Sequence, residues 1–461
     1  MNDKTSTIFD IVQSQHEFFY TNLTKDLDFR ISQLKALHKT IKNHEEEIIE
    51  ALYKDFKKPP FEAFSTEIYT VLEEIKYFIK HLPKLSQSKN VPTSFINFLS
   101  TSSVKPEPYG VCLIISPWNY PFQLALSPLI GAIAAGNCAV IKPSEHSPHT
   151  SAILKTVLSD IYPSYYISVI DGDEKVANEL LNQPLDYIFF TGGTEVGKKI
   201  MLKAAENLVP VTLELGGKSP AIVDLDTNIP IAAKRIVWGK FINCGQTCIA
   251  PDYILVHEKV KDQLLYHMIK NVIKWYTVTP EYSPDYGRII TPRHFDRLVN
   301  YIDKDKIFYG GQTNRDDLFI SPTILHHVTL EDLVMEEEIF GPILPVMTFD
   351  DLSDAIATVQ SKPKPLALYY FGEDKKRAAH VKNSISFGGG CINDTIMHVA
   401  SSHLPFGGVG YSGMGSYHGK ASFDTFSHYK SILNKSTAFD LPFRYPPYKG
   451  KLGFLRGFTN L

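Results

Sequence analysis

The chain has 461 residues, enough for about three domains at roughly 150 residues each. Its 47 Lys and Arg offset 50 Asp and Glu, for a net charge of −3 with no basic block, which argues against a nucleic-acid partner. Hydrophobic residues make up 44%, ample for large cores, yet no run approaches the roughly 20 apolar residues that span a bilayer.

Five cysteines in so long a chain fit a reducing cytosol better than a disulfide framework, and the polar N-terminus has no signal-peptide core. The first hundred residues read as helices. Ile31, Leu34, Leu37 and Ile41 recur at spacings of three and four, with Asp28 as the expected N-cap. Ile68, Val71, Leu72, Ile75, Ile79 and Leu82 repeat the pattern after the break at Lys57-Lys58-Pro59-Pro60. From Gly110 strands and helices alternate. The apolar run Val111-Cys112-Leu113-Ile114-Ile115 suits a strand buried on both faces. Residues 139–142, 167–170, 187–191 and 211–215 read as further strands and 124–135 as a helix. This alternation predicts an α/β fold with a doubly wound parallel sheet and ligands at the carboxyl ends of its strands. A second α/β region follows Gly216, with strands at 253–257 and 344–349 and a helix at 259–274. The last 26 residues, 436–461, are rich in aromatics, Pro and Lys. They read as a tail that packs on the body or on a membrane surface.

Chemistry concentrates in a few segments. Asn243-Cys244-Gly245-Gln246-Thr247-Cys248 offers a thiol on a polar, glycine-containing stretch, where backbone N–H groups can stabilise a thiolate and an oxyanion. Thirty-four residues earlier, Leu213-Glu214-Leu215-Gly216-Gly217-Lys218 places a carboxylate in an apolar run that ends in a glycine turn. A nucleophilic Cys248 and a partly desolvated Glu214 acting as base suit covalent acyl chemistry. The bland alternatives are a structural buried cysteine and a capping carboxylate. Thr191-Gly192-Gly193-Thr194-Glu195-Val196-Gly197-Lys198 follows a strand and opens a helix, so its N–H groups suit a pyrophosphate, although a plain tight turn explains the pattern equally well. Cys244 and Cys248 have no His/Cys cluster to complete a metal site, so no metal is expected. Cys244 is expected behind the site, placed to trap an oxidised Cys248 as a disulfide. Cys112, Cys138 and Cys391 read as packing residues. His398 and His403 fit the rim of a substrate mouth or ordinary surface equally.

Glu-Leu-Gly-Gly-Lys paired with Gly-Gln-Thr-Cys resembles the active-site signature of the NAD(P)-dependent aldehyde dehydrogenases, and the likeness runs from about Ile31 to Lys435. The wording around Cys248 is most similar to the class 3 branch, which includes fatty and aromatic aldehyde dehydrogenases. The resemblance implies a doubly wound cofactor domain (1–93 and 109–215) and an α/β catalytic domain (216–418). It also implies an oligomerisation β-ribbon (94–108 and 419–435), built from the neighbourhoods of 95–108 and 423–434, and a tail (436–461). It implies oxidation of a hydrophobic aldehyde to the acid with NAD or NADP and water, in a cytoplasmic homodimer with no stable membrane span. The tail would give at most peripheral membrane contact.

Site residues carry over one at a time. Asn119, in Pro117-Trp118-Asn119-Tyr120-Pro121, matches the oxyanion donor, and Trp118 falls beside the cofactor. Gly192 and Gly197 match the cofactor turn that also holds Gly193 and Thr194. Lys142 would reach the adenosine ribose, and Glu145 would lie near its 2′ position, disfavouring a 2′-phosphate. Glu338, last of Glu336-Glu337-Glu338, would hold the nicotinamide ribose, with Phe340 packing nearby. The glycine-dense stretch 404–415 would close the funnel, braced by Asn393. Two other readings remain open: an aldehyde dehydrogenase that acylates coenzyme A, against which Glu214 speaks, and a non-catalytic nicotinamide-binding protein.

Overall fold

A computed structural model describes residues 7–440 and 442–459. The chain divides into two compact units, Met1–Leu85 with Glu107–His428, and Ser86–Pro106 with Tyr429–Leu461.

The first unit contains two large sheets. In one, the order is Gly413–Met414, Val211–Glu214, Tyr187–Thr191, Val111–Ile115, Cys138–Lys142, Ile167–Val169. All neighbours are parallel except the edge pair Gly413–Met414 and Val211–Glu214. Val111–Ile115 and Tyr187–Thr191 are buried throughout, as continuous apolar runs require when helices cover both faces. The helix Gln123–Ala135 is also buried on every side, which its Ala- and Leu-rich sequence permits. The second sheet has seven strands, ordered Ile307–Tyr309, Thr323–Leu325, Ile343–Phe349, Tyr253–His257, Pro220–Val223, Ala367–Phe371, Gly389–Ile392. It is parallel apart from its Ile307–Tyr309 edge.

Three local expectations need correction. The helix Leu27–Asn43 is capped by Asp26, which accepts from the Phe29 N–H; Asp28 lies in its first turn. The choice of Asp26 follows from its extended backbone, which aims its carboxylate at the free N–H groups. Asn393 does not brace the glycine-dense stretch. It sits at φ 57 and pairs with both the N–H and the carbonyl of Gly372. The ribbon region is also less regular than expected. Phe95–Asn97 is a 3-10 turn and Lys420–Thr425 a helix.

In the second unit, Lys89–Val91, Ser100–Pro108 and Ser427–Lys435 form a three-stranded sheet in that order. Phe95, Ile96, Phe98 and Leu99 are exposed on its connection. The tail ends in the helix Lys451–Thr459; its residues 441, 460 and 461 lie outside the described residues. Among the described residues no helix is long and apolar enough to cross a membrane.

Candidate active site

The carboxyl ends of the first sheet open into a cavity of about 650 Å³. Nine of the sequence-derived residues line it: Trp118, Asn119, Gly192, Gly193, Thr194, Glu214, Cys248, Glu338 and Phe340. Lys142, Glu145 and Gly197 do not.

Cys248 follows an unusual turn. The helix Ile229–Phe241 ends, and Asn243, Cys244 and Gly245 take positive φ in succession, at 51, 53 and 71. At Gly245 this has a steric reason, since a Cβ there would meet the Gly341 carbonyl at 2.3 Å. Two strained non-glycine residues persist only where neighbours over-determine them, and they do so here. Gln246 is the clamp. Its Nε2 donates to the carbonyls of Asn243 (3.1 Å) and Arg288 (2.9 Å), and its Oε1 accepts from the Ile290 N–H at 3.0 Å. Thr247 Oγ1 lies 2.8 Å from the Tyr120 hydroxyl, and the Tyr369 hydroxyl donates to the Ile249 carbonyl at 2.6 Å. The Cys248 thiol itself is half-buried, and desolvation, with Glu338 and Glu214 nearby, holds its pKa well above the ordinary thiol value. Cys244 is buried and turned toward Gly287 and Tyr286, where burial likewise raises its thiol.

Asn119 is buried next to this turn. Its Nδ2 donates to the Gln246 carbonyl at 3.1 Å, and its backbone carbonyl accepts from Asn243 Nδ2 at 2.8 Å. An amide carries two N–H groups, so one remains to point elsewhere.

Glu214 ends the strand Val211–Glu214. It is only 2% exposed, and neither carboxyl oxygen has a hydrogen-bond partner among the described residues. Burial pushes its pKa well above the ordinary carboxylate value. An unpaired buried carboxyl is costly, and such costs concentrate at functional sites.

The Gly192–Thr194 turn is set by the strand beside it, the Gly192 N–H donating to the Glu214 carbonyl at 3.0 Å. Gly193 precedes the helix Thr194–Glu206, and a Cβ on it would meet nothing within 4 Å, so this helix N-terminus is open. Gly197 does something else. A Cβ there would fall 2.6 Å from Leu215 Cδ2, so the glycine lets the helix approach the strand. Opposite, Glu338 reaches Gly216, where a Cβ would lie 1.9 Å from Glu338 Oε2. Desolvation and then Asp252 push Glu338 up to about 8, against the Gly217 N–H and Lys218. Trp118 meets Phe340 edge-on at 5.3 Å. Away from the cavity, Lys142 Nζ pairs with Glu145 Oε2 at 2.8 Å. Desolvation of Glu145 works against this, but the Lys142 bond prevails and keeps the carboxylate below its ordinary value.

Sequence reasoning missed several lining residues. Thr291 caps the helix Pro292–Val299, which puts His294 and Arg297, three apart, into the cavity wall. His294 packs on Trp118 at 5.0 Å, and burial lowers its pKa to about 4. Arg297 donates to the Ile339 carbonyl at 2.8 Å and so fixes the backbone beside Glu338. The Thr-Pro start and the i, i+3 spacing were visible, but nothing local said which way that face points. Tyr417 and Phe406 also line the cavity. His398 is buried, with Cys391 Sγ 3.5 Å from its Nδ1, and His403 lies edge-on to Tyr77. Among the described residues no cluster of His, Cys, Asp or Glu could hold a metal ion.

The chain is similar to known proteins over nearly its whole length. The 4,4'-diaponeurosporen-aldehyde dehydrogenase of Staphylococcus aureus is 51% identical over 443 residues, 96% of each chain. Aldehyde dehydrogenase family 3 member A2 of Rattus norvegicus is 44% identical over 438 residues, 95% of this chain and 90% of that one. A solved structure described as the substrate-bound state of Staphylococcus aureus AldH superposes with a TM-score of 0.96 at 50% identity, covering 100% of both chains. The model of the aldehyde dehydrogenase family matches residues 10–432, and the chain belongs to that family of oxidoreductases acting on aldehydes.

Proposed function

We propose that Cys248, Glu214 and Asn119 carry the oxidation of an aldehyde to its carboxylic acid. The observation that carries this reading is Glu214, a buried carboxyl with both oxygens unpaired in the same cavity as a half-buried thiol and a buried amide. The Cys248 thiol gives its proton to solvent as its sulfur attacks the aldehyde carbon, forming a thiohemiacetal oxyanion. The free N–H of Asn119 and the Cys248 backbone N–H hold its oxyanion, a contribution on the order of 100-fold or more per donor. Loss of hydride leaves a thioester on Cys248. Glu214 takes a proton from water, which attacks the thioester and releases the acid and the thiol.

The cofactor of this family is NAD or NADP, which accepts the hydride. The residues present fit it. The open Gly193 and the helix N-terminus behind it suit the pyrophosphate, and Glu338 suits the ribose next to the nicotinamide. Thr194 belongs to the same turn, while Trp118 and Phe340, in edge-on contact, would form an aromatic wall for the nicotinamide. Lys142 and Glu145 would serve the adenosine ribose, and Gly197 would act by keeping the turn's helix close to its strand.

The substrate is a hydrophobic aldehyde, with a polyene aldehyde favoured by the 51% identical relative named for one. A homodimer is supported by the exposed Phe95, Ile96, Phe98 and Leu99 of the ribbon region, and peripheral membrane contact by exposed Leu452 and Leu455 beside Lys451 in the tail. The ribbon (94–108 and 419–435) and tail (436–461) would then serve assembly, while 1–93 with 109–215 holds cofactor and 216–418 supplies the thiol.

The test is nicotinamide reduction with decanal and NAD, with and without coenzyme A. Reduction without coenzyme A is expected. Reduction only in its presence would overturn hydrolysis by Glu214 and favour the acylating alternative.

A further inference from the structure

We infer that the buried ion pair Lys58–Glu67 is a positioning device that sets the oxyanion donor Asn119, an inference that rests on the role proposed for Asn119 above. The pair lies outside the cavity lining, and its two residues are 1% and 0% exposed. Lys58 Nζ donates to Glu67 Oε1 at 2.5 Å and to the Asn119 carbonyl at 3.3 Å, and it sits 4.3 Å above the Tyr120 ring. Glu67 Oε2 accepts from the backbone N–H groups of Phe122 and Gln123, both at 3.0 Å. Those two N–H groups open the helix Gln123–Ala135, where no helical partner exists for them. The two side chains thus grip both ends of the segment 119–123.

Several features single this pair out from an ordinary core contact. A buried ion pair is weak evidence for stability, because desolvation of both charges offsets their attraction, and apolar pairs often do as well. Here the remaining bonds of both partners go to the backbone of one short segment that carries the oxyanion donor. Glu67 also lies in a single π-helical turn, Ala63–Ile68, with the Tyr69 N–H reaching back five residues to the Phe64 carbonyl. Such turns are uncommon and frequent at functional sites, and this one carries Glu67, whose carboxylate bridges Lys58 and the Phe122 and Gln123 N–H groups. On the far side the Asn119 carbonyl meets Asn243 and its amide meets Gln246. Lys58 and Asn243 therefore hold the Asn119 backbone carbonyl, Gln246 holds one side-chain amide hydrogen, and the second hydrogen is left for the substrate oxyanion. A donor fixed in this way needs no reorganisation when charge develops, which is the condition for oxyanion stabilisation.

The test is a double-mutant cycle between the pair and Asn119, read by the kcat and KM of decanal oxidation. The variant Lys58→Met/Glu67→Gln removes both charges of the pair together, and Glu62, which also faces Lys58, keeps its bond from the Asn243 N–H. It is expected to lower kcat about 30- to 100-fold, as misplacement of a reacting group does. The KM for NAD and the rate of Cys248 alkylation by iodoacetamide should stay within about twofold, since neither uses the oxyanion donor. In an Asn119→Ala background the same change should cost less than about twofold. Equal losses in both backgrounds, or a kcat within about threefold of the parent, would overturn the positioning role. If Asn119→Ala alone left kcat unchanged, the role of Asn119 itself would fall, and this inference with it. Glu67→Asp keeps the charges and shortens one arm, so it serves where the double variant does not fold. Its expected loss is smaller, and it too should vanish in the Asn119→Ala background.

Discussion

The two walls of the cavity are built on opposite plans. Around the thiol nearly every polar group is engaged: Gln246 makes three side-chain bonds, Thr247 and Ile249 are tied to Tyr120 and Tyr369, and Asn119 is held from two sides. Across from it lie an open Gly193, a Glu338 that reaches the bare face of Gly216, and a Glu214 with no hydrogen-bond partner among the described residues. The thiol wall must keep its geometry while bonds form, and the strain of Asn243 and Cys244 is the cost of that rigidity. The opposite wall must admit and release a large anion and move a proton, so it keeps donors and acceptors free.

The strongest way to break this contrast is to remove the sulfur. Cys248→Ser should lower turnover by about 10⁴-fold or more, on the scale seen when a covalent nucleophile is lost, while NAD affinity stays within about twofold. Quenching of tryptophan fluorescence on titration with NAD measures the second quantity. A large loss of NAD affinity would mean that the two walls are not independent.

Next comes the free carboxyl. Glu214→Gln should lower the steady-state rate about 10²- to 10⁴-fold and leave a rapid burst of reduced nicotinamide close to one per site. The sign of the pH effect follows from burial. A raised pKa keeps Glu214 protonated through the ordinary carboxylate range, so its action as a base appears only as pH climbs beyond that range. Thioester hydrolysis should therefore rise with pH above the usual carboxylate range in the parent and lose that dependence in the Gln variant. A linear time course without a burst would remove Glu214 from the hydrolytic step.

What could be read from the chain divides along the same line. Apolar runs and turn residues made the parallel strands legible, because a strand buried on both faces leaves a local record: 187–191 matches in both bounds. The glycine turn, the thiol and Glu214 were legible because each has its own local motif. His294 and Arg297 were not, since a capped helix with an i, i+3 pair looks the same whether it faces a cavity or water. Lys58 read only as part of a break and Glu67 drew no reading, because their meaning lies in partners more than fifty residues away. Gly197 was read through the cofactor turn, yet its contact is with Leu215, which only the packed structure reveals. Asp28 was expected as the cap where Asp26 serves, because capping depends on backbone direction, which sequence does not record.

The rigid wall can also be tested through stability. Gln246→Leu removes three buried side-chain bonds and strands the Ile290 N–H and the Arg288 carbonyl, while the Asn243 carbonyl keeps its bond from the backbone N–H of residue 246. At about 1 kcal/mol or more for each buried group left unsatisfied, a loss of about 2–4 kcal/mol is expected from the shift in the urea unfolding midpoint. An unchanged midpoint would mean that the positive-φ turn holds itself without the clamp.

The smallest effect belongs to the edge of the open wall. Glu145 is paired with Lys142 and about half exposed, so its field is partly neutralised and screened. A carboxylate near the 2′ position still repels a 2′-phosphate, and Glu145→Gln removes that repulsion while freeing the Lys142 charge. At the separations of a neighbouring contact in a high-dielectric setting this is worth about 1 kcal/mol, so the ratio of kcat/KM for NADP over NAD should rise about fivefold. The rise should shrink as salt is added, because it is electrostatic and near the surface. Hydrogen bonding to the ribose hydroxyls predicts a second signature: the NAD value should fall slightly while the NADP value climbs. A ratio that does not move would place Glu145 away from the adenosine ribose and leave its bond to Lys142 as a surface contact alone.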